Sequence, residues 1–84
     1  MRVLVVEDDP AVAEPLLEGL RRNGFETEHV VYASQVASAA PAADVVLLDL
    51  GLPDGDGLDV LRELRRTSDV PVIIATARGD ETDR

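Results

Sequence analysis

What most limits the fold of this chain is a pattern used three times: a short aliphatic run that stops on a polar side chain. Val3-Leu4-Val5-Val6 stops at Glu7-Asp8-Asp9-Pro10, Val45-Val46-Leu47-Leu48 at Asp49, and Val70 to Ala75 at Thr76. Unbroken apolar runs, unlike alternating ones, are expected of strands buried on both faces of a parallel sheet. Helical patterns separate them. Strands alternating with helices imply right-handed parallel βαβ units and an α/β, open, doubly wound sheet.

The helix signals are local. Asp9 is expected to cap a helix with Pro10 in its first position, Val12, Leu16 and Leu20 repeating every four residues along its apolar face, and Asn23-Gly24 ending it. Pro15 falls inside this helix, where it removes one backbone hydrogen bond and should kink or loosen the first turns. Phe25 to Val31 reads as a shorter, more polar strand at a sheet edge. Ser34 to Ala40 reads as a brief Ala-rich helix ended by Pro41. After Asp49 the turn-rich segment Gly51 to Gly57 leads to a helix capped by Asp56 and running to about Thr67. Its stripe is Leu58, Leu61 and Leu64, or Val60 and Leu64.

Composition narrows the class. With 84 residues the chain is one domain at most, and with no cysteine it has neither a disulfide framework nor a thiolate metal site. Phe25 and Tyr32 are the only aromatic residues, so the core must be aliphatic, with Tyr32 expected at its edge. A net charge of −9 opposes direct nucleic acid binding and binding to anionic membranes. The first apolar run meets Glu7 too early to be a signal or spanning segment, so a soluble, cytoplasmic protein is expected. No glycine-rich nucleotide motif follows any strand.

In doubly wound sheets ligands bind beyond the carboxyl ends of the strands, and Glu7, Asp8, Asp49 and Thr76 all stand there. Singly, each is more often a helix cap or a turn residue. Together, carboxylates at a shared edge would repel unless a cation intervenes. Mg²⁺ suits such a site, because it takes one or two carboxylates together with waters and phosphate oxygens. The spacing of Asp54, Asp56 and Asp59 fits no calcium loop.

Three segments carry a resemblance: Val-Val-Glu7-Asp8-Asp9, then Leu-Leu-Asp49-Leu-Gly-Leu-Pro53-Asp-Gly-Asp56-Gly57, then Ile-Ala-Thr76-Ala-Arg-Gly. In order and spacing they are similar to the motifs of bacterial response-regulator receiver domains. The last segment looks most like the winged-helix transcription-factor branch. The resemblance implies a flavodoxin-like sheet of order 2-1-3-4-5 and a phosphoprotein of two-component, phosphorelay signal transduction that serves transcription regulation. Asp49 would be the nucleophile that takes a phosphoryl group from the phosphohistidine of a sensor histidine kinase. Asp8 and Asp49 would hold Mg²⁺ directly, Gly51 through its main-chain carbonyl and Glu7 through a water. Thr76 would hydrogen-bond the phosphoryl group as the switch residue, with the amide of Ala77 beside it. Pro53, Gly55 and Gly57 would shape the loop, Arg78 would be a solvated or interface residue, and His29, far along the sequence from the acids, receives no role.

The chain departs from the family at its end. Residues 1–84 would form an incomplete receiver domain of strand order 2-1-3-4, stopping near the start of helix four. The fifth βα unit, with its phosphate-pairing lysine and aromatic switch residue, is missing. Val72, Ile73 and Ile74 would then form an open edge, able to pair with a second copy as a homodimer or with a strand-completing partner. Two other readings stay open. A non-phosphorylated interaction module or fragment would keep the fold for binding alone. A haloacid-dehalogenase-like phosphatase needs an acid two residues after its nucleophile, where Gly51 stands, so the chain is not expected to be an enzyme.

Overall fold

The computed structural model describes residues 1–74. In chain order the elements are β1 (Arg2–Val6), α1 (Pro10–Arg22), β2 (Glu26–Val30), α2 (Val36–Ala39, flanked by 3₁₀ turns at 33–35 and 40–42), β3 (Val45–Leu48), β4 (Gly51–Leu52), β5 (Gly55–Asp56), α3 (Gly57–Arg65) and β6 (Val72–Ile74). Four of these strands form one sheet of order β2-β1-β3-β6, and β4 pairs with β5 in a small ribbon. All pairings within the larger sheet are parallel. With β6 as its fourth strand, the order is the expected 2-1-3-4, and the fold is the flavodoxin-like α/β arrangement.

Of the two apolar runs nearest the middle, β1 is buried on both faces as expected, whereas β3 is buried at Val46 and Leu48 and only half-buried at Val45 and Leu47. Val3, Leu4, Val5 and Val6 are each 2% exposed or less, because β1 has a strand on either side and helices over both faces. One face carries Val3 and Val5 against Ala13 and Leu17 of α1. The other carries Leu4, Val6, Val46 and Leu48 against Val36 and Leu64 of α2 and α3. Burying an aliphatic side chain contributes about 1.5–3 kcal/mol, so these rows hold most of the stabilisation.

Helix α1 begins as expected: Asp9 is its N-cap, accepting from the Ala11 N–H at 2.9 Å, with Pro10 in the first turn. It ends at Asn23, and Gly24 takes φ 89°, in the left-handed region that glycine enters without a Cβ clash. Its buried side is not the expected one. Ala13 and Leu17 face the sheet, Leu16 and Leu20 flank them half-buried, and Val12 is 44% exposed. Ala13 and Leu17, four residues apart, thus centre the buried face, and Val12 lies off it. Pro15 lies on the exposed side within an unbroken helical span.

Three further expectations need correction. The helical run after β2 does not end at Pro41, because a second 3₁₀ turn starts at Ala40 and accepts proline in its opening positions, where no N–H is required. The last apolar run is not buried on both faces: among the described residues β6 has one neighbouring strand, Val72 is half-buried, and Ile73 and Ile74 are 54% and 40% exposed, in keeping with the open edge expected of this strand. Tyr32 stands 48% exposed and is not among the side chains packed against either core cluster.

Candidate functional site

The site is made by strand ends. Val6 is in register with Val30 on one side and Leu48 on the other. Each ladder then gains one more bond, Glu7 N–H to the Val30 carbonyl at 3.1 Å and Asp49 N–H to the Val6 carbonyl at 3.0 Å. Residues more than forty positions apart therefore reach the same edge at the same level. Glu7, Asp8 and Asp49 each bring a carboxylate oxygen within 4.8 Å of the others.

Two of these acids are deeply placed: Glu7 is 5% exposed and Asp49 is 3% exposed. Oε2 of Glu7 accepts the Asp9 N–H at 3.1 Å, which folds the acid loop back on itself. Oδ1 of half-buried Asp8 is cut off from solvent and has no hydrogen-bond partner among the described residues. An orphaned carboxylate oxygen beside two further carboxylates is costly unless a cation joins it. Three hard oxygen donors with open positions fit Mg²⁺, which favours carboxylates, waters and phosphate oxygens.

The loop after Asp49 is tightly folded. Gly51 pairs with Asp56 across the β4–β5 ribbon, and Asp56 then caps α3 through the Leu58 N–H at 2.9 Å. Gly57 must lack a side chain: a Cβ there would stand 2.7 Å from Cα of Leu50 and 2.8 Å from the Asp49 carbonyl oxygen. The phosphoacceptor candidate and the start of α3 are thus packed backbone to backbone.

Thr76 and Ala77, expected to complete the site, lie outside the described residues, as does Arg78. Two contributors were missed by the sequence reading. His29 places Nε2 2.8 Å from the Glu7 carbonyl; a carbonyl only accepts, so Nε2 carries the proton. The signal available in the sequence was the parallel pairing itself, since aligned strand ends put residue 29 beside the acid loop. Asp54, weighed only as a calcium ligand, takes the Ala33 N–H on Oδ1 at 2.6 Å and the Ser34 N–H on Oδ2 at 3.1 Å. Burial raises its carboxyl somewhat, but those backbone bonds and the Ser34 hydroxyl outweigh it and hold Asp54 below its ordinary value.

A groove of about 460 Å³ opens elsewhere, between the 33–37 segment and α3, with Val36, Val60 and Leu64 among its lining. None of the three clustered acids lines it.

Comparison with known proteins decides the family. The family profile described as "Response regulator receiver domain" matches residues 3–84. The chain belongs to the response regulator receiver family. It is 42% identical over 85 residues to the KDP operon transcriptional regulatory protein KdpE of Escherichia coli, covering 98% of this chain and 37% of that protein. It is 48% identical over 85 residues to the sensory transduction protein RegX3 of Mycobacterium tuberculosis, with the same coverage of 98% and 37%. This receiver sequence thus spans little more than a third of these relatives' length. Among solved structures, the response regulator TrrA of Thermotoga maritima in complex with Mg²⁺ and a beryllium fluoride superposes with a TM-score of 0.84. That match has 31% identity and covers 98% of this chain and 75% of that one. Receiver domains of response regulators are signalling proteins phosphorylated by sensor histidine kinases and bind Mg²⁺ at an acidic pocket. No helix among the described residues is long and apolar enough to cross a membrane.

Proposed function

We propose that this receiver accepts a phosphoryl group on Asp49 in a Mg²⁺-dependent reaction and passes the signal to a transcriptional output region outside residues 1–84. The observation that carries this reading is the convergence of Glu7, Asp8 and Asp49 within 4.8 Å, with one Asp8 oxygen buried and unpartnered. Asp8 and Asp49 would hold the metal directly, Gly51 through its carbonyl and Glu7 through a water. Bound Mg²⁺ neutralises and orients the transferring phosphoryl group.

The residues divide the work. A carboxylate oxygen of Asp49 forms the new O–P bond while the P–N bond to the donor histidine breaks, and the electron pair leaves with the imidazole. Asp49 emerges as an acyl phosphate. Its low exposure limits the access of bulk water to the new bond, and Thr76, outside the described residues, would be the residue that reads the change out. Gly51 stands where a phosphatase would need its acid, which supports an acceptor over a turning-over enzyme.

Residues 1–84 are read as belonging to one receiver domain, acting in the cytoplasm with a sensor histidine kinase as phosphodonor partner. The open edge of β6, where Ile73 and Ile74 are exposed, supports pairing there with a second copy or a strand-completing segment. The domain's acidity supports leaving any DNA contact to another region.

Incubation with acetyl phosphate and Mg²⁺, followed by intact-mass measurement, tests the central claim. One phosphate added to the wild-type chain and none to Asp49→Asn is the expected result. Equal labelling of both, or no labelling of a folded wild-type chain, would sink it.

A further inference from the structure

The two helices on one face of the sheet are unequal. Helix α2 has four residues and α3 has nine, so at the usual rise per residue they are about 6 Å and about 14 Å long, and α2 is too short to run the length of α3. The groove of about 460 Å³ lies there, with an apolar floor. Val36 and Leu64 are buried at its base, Ala33 and Val60 are half-buried, and Ala37 is exposed. Val36 and Leu64 belong to the core cluster of this face and Ala33 and Val60 pack against it, so the groove opens onto the edge of that core.

The rim carries one sign of charge. Asp54, Asp56, Asp59 and Glu63 all line the groove and all are exposed, and among the described residues no Arg, Lys or His lines it with them. Arg62 pairs with Asp59 and Arg66 with Glu63, but both are strongly exposed i,i+3 pairs, which contribute little and give way readily to a better partner. Asp56 accepts the Leu58 N–H on one oxygen, and Asp54 accepts one N–H on each, although a carboxylate has room for about four bonds. The exposed side of α1, by contrast, mixes Glu14 and Glu18 with Arg21 and Arg22.

We propose that this groove is a docking surface for a basic amphipathic peptide segment of a partner protein, with aliphatic side chains in the groove and Arg or Lys side chains at the rim. Charge complementarity selects this occupant. A purely apolar segment would strip water from the carboxylates without replacing it, and an acidic one would be repelled. Nucleic acid and anionic membranes are repelled by the same rim. A second copy of this chain, itself at net charge −9, carries the wrong sign. Arg and Lys meet both demands, since their stems lie along apolar surface while the charged heads stay at its edge, and Arg can take a carboxylate through two parallel bonds. Asp54 and Asp56 belong to the segment between Asp49 and α3, so an occupant touches the loop that adjoins the carboxylate site. Docking itself needs no phosphoryl group on Asp49.

The test titrates the chain into a fluorescein-labelled helical peptide with leucine along one face and arginine elsewhere, and reads fluorescence anisotropy. Two further peptides carry arginine alone, or glutamate in place of arginine. The double variant Asp59→Asn with Glu63→Gln should weaken the leucine–arginine peptide about tenfold, as expected from the loss of two ion pairs at the upper end of their range. Ala37→Arg, at an exposed position, puts both bulk and a cation into the groove and should abolish saturable binding. Glu14→Gln with Glu18→Gln on α1 makes the same change in net charge and also removes an exposed pair, yet should stay within about twofold of wild type. Thermal melts establish which variants are folded, and the rim variant carries the comparison if Ala37→Arg is not. The docking surface is overturned if the α1 variant loses as much affinity as the rim variant, or if the arginine-only or the glutamate peptide binds as tightly as the leucine–arginine one. It is overturned equally if wild type shows no saturable binding of that peptide up to about 1 mM.

Discussion

Gly57 lies against the backbone of Asp49 so closely that a methyl group on it would stand 2.8 Å from the Asp49 carbonyl oxygen. The contact locks the entry to α3 onto the residue proposed to take the phosphoryl group. Gly57→Ala should therefore destabilise the domain by about 1–3 kcal/mol, the usual range for forcing an extra carbon into a packed site. Gly19→Ala is the contrast, since nothing lies within 4 Å of its added Cβ and helix propensity favours alanine. Urea denaturation of both variants checks the pair, and equal midpoints would show that the close approach is relieved at no cost.

Truncation in the sheet should separate the buried row from the exposed helix position. Leu48→Ala, at a side chain with no exposure, is expected to cost about 2–5 kcal/mol. Val12→Ala, at a residue 44% exposed, should change stability by no more than about 0.5 kcal/mol. Chemical denaturation resolves the two. A large loss at Val12 would mean that α1 packs on the face its periodicity first suggested.

Acidification should selectively remove the contribution of Asp54. Its carboxyl is held below the ordinary value of 3.8 by the Ala33 and Ser34 bonds, so the folded state binds a proton less readily than the unfolded one. The stabilisation is then fully present above the unfolded value and fades as pH falls through the lower folded value. Denaturation of wild type and Asp54→Asn from neutral pH down to about pH 2 should show a stability gap that narrows only at the acid end. A constant gap would assign the difference to shape and not to charge.

Replacing Ile73 with lysine on the open strand should suppress any concentration-dependent self-association, because charge on an edge strand blocks strand addition. Sedimentation velocity over a range of concentrations measures it. Unchanged association in the lysine variant would move the contact away from β6.

Much of this was legible from single residues. Continuous aliphatic runs announced β1 and β3, and Asp9-Pro10 with Asn23-Gly24 bounded α1, because capping chemistry is local. The clustered acids were legible for the same reason: a buried strand that stops on a carboxylate points it at the sheet edge. What escaped depends on relations between elements. Periodicity showed that α1 had an apolar face but not that Ala13 and Leu17 would centre it. Hydrophobicity alone made the β6 run look buried, and only the strand order marked it as an edge, because burial depends on how many neighbours a strand has. His29 and Asp54 gained their roles from parallel register and from the fold of the ribbon, neither of which is written in the spacing of residues.

The register that aligns Val6 with Leu48 also has a thermodynamic consequence. Glu7 and Asp8 adjoin in any conformation, but Asp49 joins them only in the native state, so an unfolded chain offers a cation an incomplete and more weakly attracting set of carboxylates. A ligand that selects the native state shifts the folding equilibrium toward it by mass action. Mg²⁺ at this edge therefore acts as part of the tertiary structure as well as of the reaction, and the melting temperature should climb with its concentration.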